Sequence, residues 1–179
     1  MKRAVTLSAG ALVLALSLSA CITVNVPSRP DATNPPAATN GSSDDDFANA
    51  VTMPCSADGI TLSELTAPVI VSGECPSVTI EGSNFDVRIE KTASLTIRGD
   101  DNDVDVDEVG TIIVNGQDND VDVTQSGITV VEIAGNDNSV STRGDIGGVV
   151  INGNENDIEF AGTLGEKAEN GTGNTFGDD

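Results

Sequence analysis

Six glycines recur along the second half of this chain at nearly equal steps. Gly82, Gly99, Gly116, Gly135, Gly153 and Gly171 are separated by 17, 17, 19, 18 and 18 residues. Around most of them the chain reads apolar-x-apolar-x-Gly-x-x-Asn-x-apolar-x-apolar. A period of this size is one coil of a β-solenoid, in which each coil buries its apolar face only by stacking on its neighbours.

With each Gly as position zero, the −4 and −2 positions are Val78/Ile80, Leu95/Ile97, Ile112/Val114, Val131/Ile133 and Val149/Ile151. The +5 and +7 positions are Val87/Ile89, Val104/Val106, Val121/Val123, Val140/Thr142 and Ile158/Phe160, with Thr142 alone not apolar. Alternation of this kind marks strands with one buried face, and β-branched residues suit the pleated surface. A third inward position falls ten to twelve residues after each Gly, at Ala93, Val109, Ile128, Ile146 and Leu164. Three inward sets predict a three-sided coil. The apolar frame continues upstream through Val69/Val71 and Ile60/Leu62 to Val51/Met53, where the Gly and Asn no longer appear. Downstream, Lys167 and Glu169 break it around Gly171. Coils that degrade at both ends are the caps of an array. The expectation is an all-β, single-stranded parallel β-solenoid of about six coils plus caps over residues 51–176. The regular six-residue apolar spacing of left-handed solenoids is not seen, which favours a right-handed one.

The Gly is expected to turn the chain at positive φ. The Asn at +3 recurs as Asn102, Asn119, Asn138, Asn156 and Asn174. Stacked about 4.8 Å apart, side-chain amides donate to one neighbour and accept from the other, so this column reads as a structural Asn ladder. Phe85 replaces the Asn in the first regular coil and is expected to close the ladder as an apolar lid.

The N-terminus has a different grammar. Lys2 and Arg3 precede 17 uncharged residues, Ala4 to Ala20, and the run ends in Leu18-Ser19-Ala20-Cys21. The layout is that of a secretory signal peptide over residues 1–20. The Leu-Ser-Ala-Cys ending resembles a bacterial lipobox. That resemblance implies cleavage before Cys21, a diacylglycerol thioether on its sulfur and palmitate-type acylation of its amine. Two acyl chains suffice for stable anchoring where one does not. The expected location is the outer face of the cytoplasmic membrane. Residues 21–50 read as the lipidated Cys and a Pro/Ala/Ser/Asp tether with too little apolar surface to fold. Residues 177–179 are a short acidic tail.

With Cys21 assigned to lipid, Cys55 and Cys75 form the one remaining pair. The coil frame puts them on neighbouring coils along the same side, within disulfide reach, in an exported and therefore oxidising setting. A catalytic thiol finds no His in the chain to activate it.

The formal net charge is −21, and loss of Lys2 and Arg3 with the signal peptide makes it two units more negative. This argues against nucleic acid and anionic lipid surfaces as partners. There is no Trp, Tyr or His, so the usual sugar-stacking platforms and the commonest acid–base residue are absent. The outward positions after each Gly are acidic: Asp101, Asp103 and Asp105, then Asp118, Asp120 and Asp122, then Glu155, Asp157 and Glu159. Stacked like charges destabilise a sheet. They are read either as a solvated, screened face or as calcium ligands, with Asp101, Asp103, Asp118 and Asp120 the candidate metal residues. Gly-x-Asp-Asn-Asp-Val, here Gly99 to Val104, is similar to the calcium-binding nonapeptide repeats of secreted toxins, but with one turn per coil and without the Gly-Gly-x-Gly lead.

Taken together, the lipobox, tether, Cys pair and Val-x-Ile-x-Gly-x-x-Asn-x-Val coils resemble the actinobacterial lipoproteins grouped as domain of unknown function 3060. The motif stands here as Ile97-Arg98-Gly99-Asp100-Asp101-Asn102-Asp103-Val104, with copies at Val114, Ile133 and Ile151, over about 125 residues. The resemblance implies a fold and a compartment but no activity. The leading expectation is a non-enzymatic, membrane-tethered envelope lipoprotein that presents the solenoid as a spacer or as an interaction surface for a protein or cell-wall partner. A calcium-binding module is the alternative. A polysaccharide-acting enzyme ranks last, because Arg88, Arg98 and Arg143 are scattered along the chain.

Overall fold

The computed structural model describes residues 47–177. They form thirteen strands: β1 (Val51–Pro54), β2 (Ile60–Ser63), β3 (Val69–Cys75), β4 (Val78–Glu81), β5 (Asp86–Arg98), β6 (Asp103–Asn115), β7 (Asp120–Val123), β8 (Ile128–Ala134), β9 (Ser139–Thr142), β10 (Ile146–Asn152), β11 (Asp157–Phe160), β12 (Leu164–Asn170) and β13 (Thr175–Gly177). Every pairing is parallel, and there is no helix among the described residues. One stack runs β1-β3-β5-β6-β7-β9-β11-β13. A second runs β2-β4-β5-β6-β8-β10-β12. The result is a β-solenoid of about seven turns, slightly more than the six full coils expected, because strand pairing continues into both degraded ends.

The register follows the sequence period. Val87 pairs with Val104, Val104 with Val121, and Val121 with Val140. All twenty side chains assigned inward at −4, −2, +5 and +7 in the regular coils are buried. Thr142 is tolerated among them because its hydroxyl donates to the Ser126 carbonyl at 2.7 Å and accepts from Gly144 N–H at 3.2 Å, so no polar atom is stranded.

The third inward column differs from expectation at one place. Thr92, not Ala93, points inward; it pairs with Cys75 on one side and Val109 on the other, and Ala93 is exposed. Apolarity favoured Ala93, but the Thr92 hydroxyl satisfies itself locally on the Ser94 carbonyl at 2.9 Å. Val51, expected inward, is 49% exposed, because it belongs to the outermost coil and nothing described covers it. Packing extends upstream of residue 51: the buried Phe47 ring has the Arg88 guanidinium 4.4 Å from its centroid.

Coil length is absorbed at one corner. In the two 17-residue coils, β5 and β6 run unbroken from one side of the solenoid to the next. In the longer coils the same corner opens into the loops 124–127, 143–145 and 161–163, while the paired strands keep their register.

The Cys55–Cys75 disulfide is present, with its Cα atoms 5.5 Å apart across 20 residues of chain. Closing a loop of that size contributes about 3 kcal/mol on the chain-entropy account. It staples the first coil, where stacking partners exist on one side only.

The expected positive φ holds at half of the glycine column, and close contact between coils accounts for the rest. Only Gly82, Gly99 and Gly171 have positive φ, at 157°, 152° and 156°. What Gly99, Gly116, Gly135, Gly153 and Gly171 share is contact: a Cβ on any of them would overlap the carbonyl oxygen of the Gly one coil earlier. No rotamer relieves a clash of that kind, because the Cβ is fixed by the backbone. We expect Gly135→Ala to destabilise by roughly 3 kcal/mol, as overpacking does. Gly148→Ala, whose added Cβ meets nothing nearer than the Glu166 carbonyl at 3.6 Å, should be neutral or stabilising. Urea midpoints of the two variants check this; equal losses would refute it.

Candidate functional site: the ladder corner and the acidic face

The corner after each Gly is built from two ladders. In the inner one, Asn102 Nδ2 donates to Asn119 Oδ1 at 2.8 Å, Asn119 to Asn138 at 2.9 Å, Asn138 to Asn156 at 3.0 Å and Asn156 to Asn174 at 2.9 Å. Each Nδ2 also reaches the Gly carbonyl of the preceding coil, as Asn119 does to Gly99 at 2.9 Å. Each Oδ1 additionally accepts the backbone N–H of the preceding rung, as Asn138 does from Asn119 at 3.2 Å. Asn102, Asn119, Asn138 and Asn156 are buried, so these bonds replace water entirely. Phe85 donates its backbone N–H to Asn102 Oδ1 at 3.2 Å, and its ring lies against Gly82, which is the lid expected of it.

The outer ladder was not anticipated. At +1, Ser83 accepts from Asp100 N–H at 3.0 Å, Asp100 from Gln117 N–H at 2.9 Å, Asn136 from Asn154 N–H at 2.9 Å, and Asn154 from Thr172 N–H at 3.1 Å. The residue types vary, and the Gln117 rung differs in accepting from the Asn136 side-chain amide at 3.5 Å, so no repeated residue marks the column in the sequence.

The turn itself is made one position further on. Asn84, Asp101, Asp118, Asp137 and Glu155, all at +2, have φ between 54° and 61°. This is the left-handed region, which Asn and Asp tolerate and Gly favours. In the final coil Gly173 takes that place with φ 75°. Asp101 and Asp118 are therefore turn residues, exposed at the corner. Asp103 and Asp120 belong to a different surface, the adjacent strand face, where they are register partners. The four candidate metal residues thus divide into two pairs. Among the described residues no group of three or more Cys, Asp or Glu is arranged to hold a metal ion.

The strand face carries two outward acidic columns. One runs Asp86, Asp103, Asp120, Ser139, Asp157 and the other Arg88, Asp105, Asp122, Ser141, Glu159. Arg88 is the face's basic residue and pairs with Asp105 at 3.1 Å. Ser139 and Ser141 interrupt both columns and open a recess of about 400 Å³ between the acids of β7 and those of β11, with Arg143 at its edge. Ser141 donates to Asp122, and Thr175 to Asp157.

This crowding shifts titration. The Asp103 carboxyl is pushed up to about 6, first by loss of water and then by Asp105, Asp120, Asp86 and Asp122. Asp120 is raised by loss of water and then by Asp122. Asp145 is lowered by the Thr163 backbone and hydroxyl hydrogen bonds, and Glu169 by the one from Asn174.

A family model described as "Protein of unknown function (DUF3060)" matches residues 66–106. That stretch contains Cys75, the lid Phe85 and the first ladder residue Asn102, and supports the family resemblance there. It is shorter than the roughly 125 residues over which the motif repeats. No curated protein and no solved structure matches the chain.

Two predictions follow from the acids. A carboxyl raised in the fold favours folding while protonated. Its contribution is full below the unfolded value of 3.8 and is lost as pH rises through about 6. Lowered carboxyls contribute above their unfolded values of 3.8 and 4.5 and lose that contribution as pH falls below them. The melting temperature should therefore rise between pH 7.5 and pH 5 and fall again below about pH 4. Asp103→Asn should flatten the upper branch, and a curve rising toward pH 7.5 would contradict a raised Asp103 carboxyl. At the turn, Glu155→Gly should stabilise by about 1 kcal/mol, since Gly enters the left-handed region without cost. A loss in the denaturation midpoint would show that the Glu155 side chain matters more than its backbone.

Proposed function

We propose that this chain is a non-enzymatic envelope lipoprotein, tethered to the outer face of the cytoplasmic membrane through Cys21, that presents its acidic solenoid as a spacer or interaction surface. Cys21 lies outside the described residues. The observation that carries the reading is the pair of acidic columns held in register along one face from β5 to β11. Seven turns at about 4.8 Å make a rod of roughly 34 Å, and its charge repels anionic lipid and nucleic acid alike. A stiff, solvated rod on a proline-bearing tether suits display at a distance from the bilayer. Arg88 and Arg98 are engaged with Asp105 and Glu81, at 3.1 and 2.9 Å, which leaves Arg143 as the arginine that lines the acidic recess.

Membrane fractionation with palmitate labelling tests the tether. The wild-type chain should label and sediment with membranes, and Cys21→Ala should be released or remain unprocessed. The same lipid-sized mature species from the variant would overturn the assignment.

The recess between β7 and β11 favours a second reading, a calcium-binding envelope module. Calcium bridging those acids would stabilise the fold by about 2.7 kcal/mol at a hundredfold excess over its dissociation constant. A screened face gains from any salt instead. At constant ionic strength we expect calorimetry to show no saturable calcium step. A stoichiometric, micromolar step abolished by Asp120→Asn, or by Asp101→Asn with Asp118→Asn, would replace the scaffold reading.

A further inference from the structure

The two ends of the solenoid differ in chemistry. At the N-terminal end, β1 and β2 each pair on one side only among the described residues. Their inward positions are uncharged, and Val51 is half exposed. At the C-terminal end, β12 and β13 are likewise paired on one side. There the inward columns change character abruptly. Lys167 is the register partner of Val149, and Glu169 that of Ile151. The column that begins with Ile60 thus ends in an ammonium, and the one that begins with Leu62 ends in a carboxylate.

Both charges are tied down. Lys167 Nζ lies 3.4 Å from Glu169 Oε2 and 3.9 Å from the centroid of the Phe176 ring. Glu169 Oε1 accepts from Asn174 Nδ2 at 3.0 Å. In every earlier rung an Nδ2 hydrogen goes to the Asn of the next coil. Glu169 therefore supplies the acceptor that a following coil would have supplied.

A second copy's N-terminal coil has what the C-terminal edge otherwise lacks: parallel strands of matching spacing and apolar residues at −4 and −2. We propose that Lys167 and Glu169 form a built stop that prevents a second copy from adding to this edge, and so keeps the solenoid from extending end to end into a fibre. Addition would seal the pair between two apolar layers and take from it the water it still touches. Inward charges at an exposed strand edge oppose pairing for this reason. The inference is independent of the lipid anchor and of the acidic face.

The geometry of the forbidden contact is definite, which makes it testable. Ala168 holds the outward −3 position of the last coil and Thr61 that of the first, so stacking would bring Ala168 of one copy against Thr61 of the next. The full chain carrying Thr61→Cys and Ala168→Cys is treated with a short bismaleimide, with each single replacement as control. The work is done in about 0.5 M sodium chloride, so that general repulsion is screened. With Lys167 and Glu169 in place, crosslinked dimers should not exceed the controls. With Lys167→Val and Glu169→Ile added, they should rise severalfold and extend to higher multimers. A double variant that keeps its β circular dichroism and stays uncrosslinked overturns the proposal. If the double variant does not fold, Lys167→Val and Glu169→Ile are read singly by the same criterion. Crosslinking of the unaltered end at high salt also overturns it, because net charge rather than the pair would then keep copies apart.

Discussion

The fold depends on how closely one glycine can sit on another. At the ladder corner the carbonyl of each Gly occupies the space where the next coil's Cβ would be. That approach brings the coils to strand spacing at a place where no continuous strand exists. It also puts each Gly carbonyl within reach of an Asn amide, about 3 Å away in every regular coil. The ladder and the close stacking are one arrangement. A side chain on the glycine would part the coils, and the amides behind it would be buried without partners, which costs more than the bonds themselves contribute. The strands on either side then need only apolar inward residues of ordinary size.

Most of the architecture could be read from the sequence because two periods coincide. Alternation of two assigns each side chain to a face, and the coil period of 17 to 19 aligns the faces. Where both hold, as at Ile97, Val114 and Ile133, the assignment is secure from residue type alone. The differences arise where a local bond competes with apolarity. Thr92 turns inward because its hydroxyl bonds to the chain two residues on. The left-handed turn falls on Asp101 and Asp118 because Asp tolerates it and because the glycines are needed for contact. Charge and flexibility were the obvious meanings of those two residue types, and backbone geometry proved to be the governing one. The outer ladder escaped notice since Ser, Asp, Gln, Asn and Thr all serve it.

The candidate site was less legible. The acidic columns are plain in the sequence, but their effect depends on spacing that only the register defines. Asp103 is crowded because Asp86 and Asp120 sit directly across from it on either side and Asp105 shares its strand. Asp157 is spared that position because Ser139 stands between it and Asp120. The sequence shows a Ser in place of an Asp; the structure shows that two such exchanges side by side make a recess. The C-terminal pair was similarly visible only as a break in the pattern, whereas in space it is a set of contacts joining Lys167, Glu169, Asn174 and Phe176.

One corner of each coil carries the whole variation in coil length. The chain runs straight through it at 90–94 and 107–111, and opens by a few residues at 124–127, 143–145 and 161–163, without disturbing the strands before or after. Tolerance to length is thus confined to a single seam along the rod, whereas the ladder corner keeps one length in every regular coil. A foreign epitope spliced between Gln125 and Ser126 would be carried as a side branch at a fixed height on the rod. The same splice at Gly116 would cut the stack in two. The molecule has one seam open to editing and one that is sealed, and natural or designed insertions in such coils should fall on the first.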